Sequence, residues 1–240
     1  MAGTDRLLLA DVPHHVLRKA RKGEQVFHDK ADYRHFISQI RDLRHTYQVE
    51  VHAWTLLPDR FHMVATPYGN PDNLGVFIKS LTCRASLRRR GLYGQKSPWE
   101  ARFRASPVEP GNWLMACISY VERLPVEQNL ASSAYHYQNS SYRMRLGKTD
   151  QYWLDDPEEY ARLGDDIPER ANAFRTYMRN GLDEKEVEMI NTALYRNRLT
   201  GSQRFVEFVY KKYGILVLNR GPGRPRRKKN PDDFSNDNNR

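Results

Sequence analysis

The chain is short of cysteine, of long apolar runs and of anything resembling a cleaved leader. Only Cys83 and Cys117 occur among its 240 residues. Each lies within an apolar helical pattern, so both are expected to be small buried core residues in a reducing compartment, neither a disulfide nor a metal pair. Nothing approaches the about 20 consecutive apolar residues that a membrane span needs, and the mean hydropathy is −0.80. The opening MAGTDRLLLADVP holds only a three-leucine run with an acidic residue close by, which does not read as a signal peptide. A cytoplasmic protein is expected, long enough for one sizeable domain and a small one.

Positive charge is abundant. The 39 Lys and Arg residues outnumber 29 Asp and Glu, giving a net charge of +10 and an isoelectric point near 9.6. The last stretch, from Arg220 to Arg240, carries seven basic and three acidic residues and so supplies +4, leaving +6 on the body. Such a surplus points to a polyanionic partner, with nucleic acid the default; solubility through net charge is the plainer alternative.

The most structured stretch is VEVHAWTLLPDRFHMVATP, residues 49–67. It reads as two strands joined at a tight Pro58–Asp59 turn. His52, Trp54 and Leu56 are expected on one face of the first, with Val51, Ala53, Thr55 and Leu57 on the other. In the second, Arg60 and His62 share a face with Val64 and emerge as a polar pair from an otherwise apolar ribbon. Any chemistry is expected there.

Around the ribbon, residues 12–17 read as a first strand. A helix capped by Asp29 or Asp32 runs to about Tyr47, carried by Tyr33, Phe36, Ile37, Ile40 and Leu43 at three- and four-residue spacing. A second helix spans residues 74–90, with Phe77, Ile78, Leu81, Ala85 and Leu87 on its apolar side and Gly91 as its stop. A third spans residues 113–129, with Trp113, Cys117, Tyr120, Val121 and Leu124 near one face and Pro125 set to kink or end it. The order is β-α-β-β-α-(β)-α, an α+β fold with a small antiparallel sheet and helices on one face.

Two segments look like phosphate contacts. Arg84, Arg88, Arg89 and Arg90 crowd the end of the second helix, more cations than the macrodipole asks for. KSPWEARFRASPV then interleaves Lys96, Arg102 and Arg104 with Trp99 and Phe103. That mixture suits backbone neutralisation with base stacking on single strands, or simply a strand with one packed and one solvated face. Residues 146–215 read as an all-helical module with helices near 157–163, 168–180, 183–196 and 202–213. From residue 216 the chain has no periodic apolar residues and should be disordered. There Gly223-Arg224-Pro225, followed by Arg226, Arg227, Lys228 and Lys229, is similar to a minor-groove hook, with Pro222 where such hooks have Arg.

Taken in order, PHHV, HAWTLLPDRFHMVATP, PWEARFRASPVEP, SYVERLPVE, LTGSQRF and GRPRRKK resemble the REP-associated tyrosine transposases, the single-tyrosine branch of the HUH nucleases. The resemblance spans nearly the whole chain. It implies a ferredoxin-like domain over residues 1–145 that binds and nicks single-stranded DNA, often at repeats folded into hairpins, as a monomer or homodimer. It also implies one divalent metal, Mg or Mn, held by two His and a polar helix residue, and a tyrosine on that helix that attacks the phosphate to leave a 5′-phosphotyrosine. Tyr120 occupies that tyrosine's place. Phenol, with a pKa of about 10, is a poor nucleophile at neutral pH, so a Lewis acid on the phosphate is needed.

The sequence departs from the family pattern at two of the three ligand positions. Arg60 stands where the first metal-binding His belongs, and Leu124, one turn after Tyr120, stands where the family has a carboxamide. A permanent cation repels a metal and Leu offers no lone pair. His62 is left as an isolated ligand. Three readings follow: a DNA-binding protein with impaired or lost nicking, nucleoid-associated and without a cofactor; an active nuclease in which Arg60 grips the phosphate, His62 assists and Tyr120 attacks; or an RNA-binding or protein-interaction module.

Overall fold

The computed structural model describes residues 6–217. Strands β1 (His14–Lys19), β2 (Val49–Leu57), β3 (Arg60–Pro67) and β4 (Arg104–Pro107) form one antiparallel sheet in the order β2-β3-β1-β4. Helices α1 (Lys30–Thr46), α2 (Asp72–Tyr93) and α3 (Asn112–Glu127) complete the expected β-α-β-β-α-β-α order. The remainder is helical: α4 (Tyr142–Arg145), α5 (Glu158–Ala161), α6 (Ile167–Asn180), α7 (Glu184–Arg196) and α8 (Gln203–Tyr213). Among the described residues no helix is long and apolar enough to cross a membrane.

Caps set most boundaries. The Asp29 side chain accepts from the Asp32 N–H at the start of α1, Asp183 and Glu186 form a reciprocal capping box on α7, and Ser202 caps α8. Helix α2 outruns its expected stop at Gly91. It ends after Tyr93, where Gly94 takes the left-handed conformation at φ 62°. Pro125 falls in the last turn of α3 and the helix ends two residues later.

Both faces of the sheet are covered, not one. Val16, Phe61 and Met63 pack with Phe36 and Ile40 of α1 and Phe77 and Leu81 of α2. On the other face, Ala53 and Val64 pack with Leu114, Cys117 and Val121 of α3, and Phe174 of α6 and Ile190 of α7 join the same cluster. The sequence shows why: β3 is buried without interruption from Phe61 to Pro67, the signature of a strand sandwiched between layers. The alternation expected for β2 also fails at one point. A bulge between Val51 and Ala53 takes His52 out of the β2–β3 register, its ring still meeting the Thr66 hydroxyl at 2.8 Å, so Val51 faces the same core as Trp54 and Leu56. Two smaller expectations fail on α2: Leu87 is exposed at 52% and Cys83 is exposed, because the last turns of this long helix run past the edge of the core.

The LTGSQRF stretch clasps the helical region to the β4 end of the sheet. Thr200 N–H donates to the Pro107 carbonyl and Glu109 N–H to the Thr200 carbonyl, each at 2.8 Å. The Glu109 carboxylate accepts from the backbone N–H and hydroxyl of Ser202, at 2.6 and 2.9 Å. Beneath the clasp, α8 buries Phe205, Val206 and Val209 against Leu9 and Val12.

Candidate active site

Strand pairing builds the site. Leu17 of β1 lies opposite His62 and Lys19 opposite Arg60. Residues opposite one another share a face, so His15, Lys19, Arg60 and His62 all point toward the α3 side. His15 and His62 meet through Nε2 and Nδ1 at 3.0 Å. The Tyr120 ring stands edge-on to both, with centroids 5.6 Å from His15 and 6.5 Å from His62. Its hydroxyl donates to Oδ1 of Asn191 on α7 at 2.8 Å.

The electrostatics favour neutral groups. Burial lowers the His15 pKa to about 3. Burial, then the neighbouring His15, Arg60 and Lys19, put His62 well below its ordinary value. Both rings are therefore uncharged at neutral pH, one donating to the other. Burial raises the Tyr120 pKa to about 12 against the opposing pull of its bond to Asn191. Arg60 is held at the turn by Asp59, through Nε at 2.8 Å and Nη2 at 2.7 Å, and this pairing raises its pKa further.

A cleft of about 550 Å³ opens beside Tyr120 and Leu124, between α3 and α7. Glu127, Glu184 and Glu188 line it, against a single cation, Arg123. A phosphodiester approaching along this cleft meets repulsion.

The donor set does not fit a divalent metal. The Nδ1 atom of His62 is engaged by His15, Leu124 carries no donor, and Arg60 is a cation fixed by its neighbour. Mg²⁺ and Mn²⁺ favour oxygen ligands in an octahedral set. Among the described residues no three His, Cys, Asp or Glu side chains are grouped closely enough to hold a metal ion.

The structure brings His62 and Tyr120 together, leaves Arg60 on the same strand face but paired with Asp59 at the turn, and scatters the expected phosphate contacts. Arg84 bonds Gln39 at 2.8 Å on the outside of α2, and Arg90 is exposed. Arg88 pairs with Asp32 at 3.0 Å. Arg89 is a correction: it is buried, paired with Glu24 at 2.7 Å and bonded to the Gln25 carbonyl, so it locks α2 to the loop before α1. Trp99 is another. Its indole is 5% exposed, donates to the Thr82 carbonyl and packs against Phe61, so it is a core aromatic and offers no face to a base. Lys96 and Arg102 are exposed. Arg104 lies over the Tyr195 ring at 5.1 Å. Arg224, Arg226, Arg227, Lys228 and Lys229 lie outside the described residues.

Sequence reading missed His15 and Asn191. The strand register alone carries His15 to His62, across 47 positions, and the PHHV doublet was its visible trace. Asn191 had no trace, since it depends on how α7 docks. Glu122, two residues after Tyr120, is fully buried and paired with Arg145 at 3.2 Å.

No protein-family model matches the sequence, and no curated protein does. Among solved structures, one is similar over 65% of this chain and 99% of its own, with a TM-score of 0.53 and 15% identity: a REP-associated tyrosine transposase bound to a REP hairpin. A candidate transposase from Deinococcus radiodurans R1 matches over 52% of this chain and 93% of its own at 16% identity, but its TM-score of 0.34 carries no argument. The chain thus has the fold of a REP-associated tyrosine transposase.

Proposed function

We propose that this chain is a DNA-binding protein of the REP-associated tyrosine transposase type, binding single-stranded or hairpin DNA, in which strand nicking has been lost. The fold supports the type, and the similar transposase was solved on a REP hairpin. The net charge of +10 supports a nucleic-acid partner. The observation that carries the loss of nicking is the site itself. Tyr120 is present, but its hydroxyl is tied to Asn191, its pKa is raised to about 12, and among the described residues no metal-binding set stands beside it. Arg60, the cation that could otherwise grip a phosphate, is paired with Asp59, and no metal set among the described residues would lower the cost of forming a phenolate.

Binding is tested by fluorescence anisotropy with hairpin-tipped single-stranded DNA and the matched RNA, each at two salt concentrations. DNA preference with a steep salt dependence is expected. A preference for RNA would overturn the assignment.

A further inference from the structure

A second hollow adjoins the acidic cleft, with Arg123 lining both. It holds about 510 Å³ between α3, residues 133–135, α4 and α6. Where the first hollow presents three carboxylates, this one is ringed by Arg123, Lys148, Arg175 and Arg179, and none of the residues lining it is acidic. Its wall is apolar, from Val126, Leu146 and Met178. Arg123 pairs with Glu127 at 3.6 Å, a residue of the acidic cleft, and donates to the Met178 carbonyl at 2.7 Å. Arg175 donates to a neutral acceptor, Oδ1 of Asn172, at 2.9 Å. Among the described residues Lys148, Arg175 and Arg179 form no ion pair, and Lys148 and Arg179 are exposed.

Two tyrosines complete the hollow. Tyr135 is 41% exposed, and Arg143 lies 5.4 Å from the centre of its ring. Tyr142 is 6% exposed, and among the described residues its hydroxyl makes no hydrogen bond. Burial, then the charge of Glu122, raise the Tyr142 pKa, while Arg175, Arg179 and Arg123 pull it the other way, so three guanidinium groups act on this hydroxyl.

We propose that this hollow binds one unpaired nucleotide of a DNA single strand, its base against the apolar wall beside Tyr135 and its phosphate among Lys148, Arg175 and Arg179. A phosphate supplies the counter-charge for these cations, and an aromatic side chain with an apolar wall accepts any base without reading its sequence. The Tyr142 hydroxyl gains an acceptor at the same time. The acidic cleft alongside repels a phosphate, so the strand is held on this side of Arg123. That the nucleotide belongs to DNA rests on the DNA-binding reading above; a free nucleotide shares the same chemistry.

The test uses the full chain and three proteins: wild type, the double reversal K148E/R179E, and K30E/R34E, an equal reversal of exposed charges on α1 outside the hollow. Anisotropy across a salt series, with hairpin-tipped single-stranded DNA and with a blunt duplex of the same sequence, is paired with calorimetry using thymidine 5′-monophosphate. The expected result is an at least tenfold loss of affinity for the single-stranded probe in K148E/R179E. Its salt slope should be shallower by about 0.7 to 1.5, since each neutralised phosphate of a single strand contributes about 0.7. The loss should stay within about threefold on the duplex, whose bases remain stacked, and K30E/R34E should stay within about threefold of wild type on both. Equal losses in the two variants, none in K148E/R179E, or as large a loss on the duplex as on the single strand overturn the nucleotide site while leaving DNA binding intact. If wild type binds neither DNA but binds the mononucleotide, and K148E/R179E does not, the DNA-binding reading fails and the hollow stands as a site for free nucleotide. Binding of no probe overturns both.

Discussion

If the family resemblance holds at the ligand positions, Arg60 and Leu124 are the two residues that depart from a metal-binding set. The double change Arg60→His and Leu124→Asn places an imidazole and a carboxamide beside His62. It should give Mn²⁺ binding measurable by calorimetry, where wild type gives none; failure would mean that the His15–His62 contact has closed the site as well. The buried histidines also set a pH limit. Burial lowers His14 to about 4, its Nε2 accepting the Leu9 N–H, and burial lowers His52 too. Below the unfolded pKa of about 6.5 the unfolded chain binds protons that the folded chain refuses. Stability is therefore full above pH 6.5 and falls as pH drops, by up to about 1.4 kcal/mol per pH unit for each such histidine, with His14 levelling off near pH 4. Urea midpoints between pH 7.5 and 4.5 check this; a flat profile would contradict it. At this scale the sequence was informative wherever residues are close along the chain. Tyr120 and Leu124 are one turn apart on α3 and could be paired by eye, whereas His15 and His62 meet only through the β1–β3 register.

Elements were readable in order but not in layering. The periodicities of α1, α2, α3 and the ribbon were plain. The sheet's second covered face was not, because period-two alternation in β2 hides the bulge at His52 and because α3 shares its core with helices some 50 residues later. Arg89 and Trp99 look like ligands for DNA because a cation or indole beside basic neighbours reads alike whether it ends in solvent or in the core; only the fold puts one against Glu24 and the other against Thr82 and Phe61. Two element-level predictions follow from the contacts. Glu122 and Arg145 are both fully buried, and Arg145 also bonds the His52 carbonyl, joining α3, α4 and the bulge of β2. Glu122→Ala would leave the guanidinium with Asp156, at 3.6 Å, as its remaining carboxylate and should cost about 3 kcal/mol by urea denaturation. In the clasp, a Cβ on Gly201 would sit 2.7 Å from the Glu109 Cβ and 2.9 Å from Phe205. Gly201→Ala should lower the melting temperature by several degrees, and an unchanged melt would show that the clasp yields.

Across the whole molecule, Arg123 divides two hollows of opposite character. On one side lie Tyr120 and a cleft lined by Glu127, Glu184 and Glu188; on the other lie Lys148, Arg175 and Arg179. Net charge alone forecast a nucleic-acid partner but could not say which side carries it, because charge distribution depends on the fold. The central claim is that DNA is bound and not cut. It is tested by incubating the protein with hairpin-tipped single-stranded oligonucleotides, with and without Mn²⁺, and resolving the products on a denaturing gel. The expected result is oligonucleotide that is retained under native conditions and runs uncut and unattached when denatured. A covalent protein–DNA band that disappears in Tyr120→Phe would contradict the account.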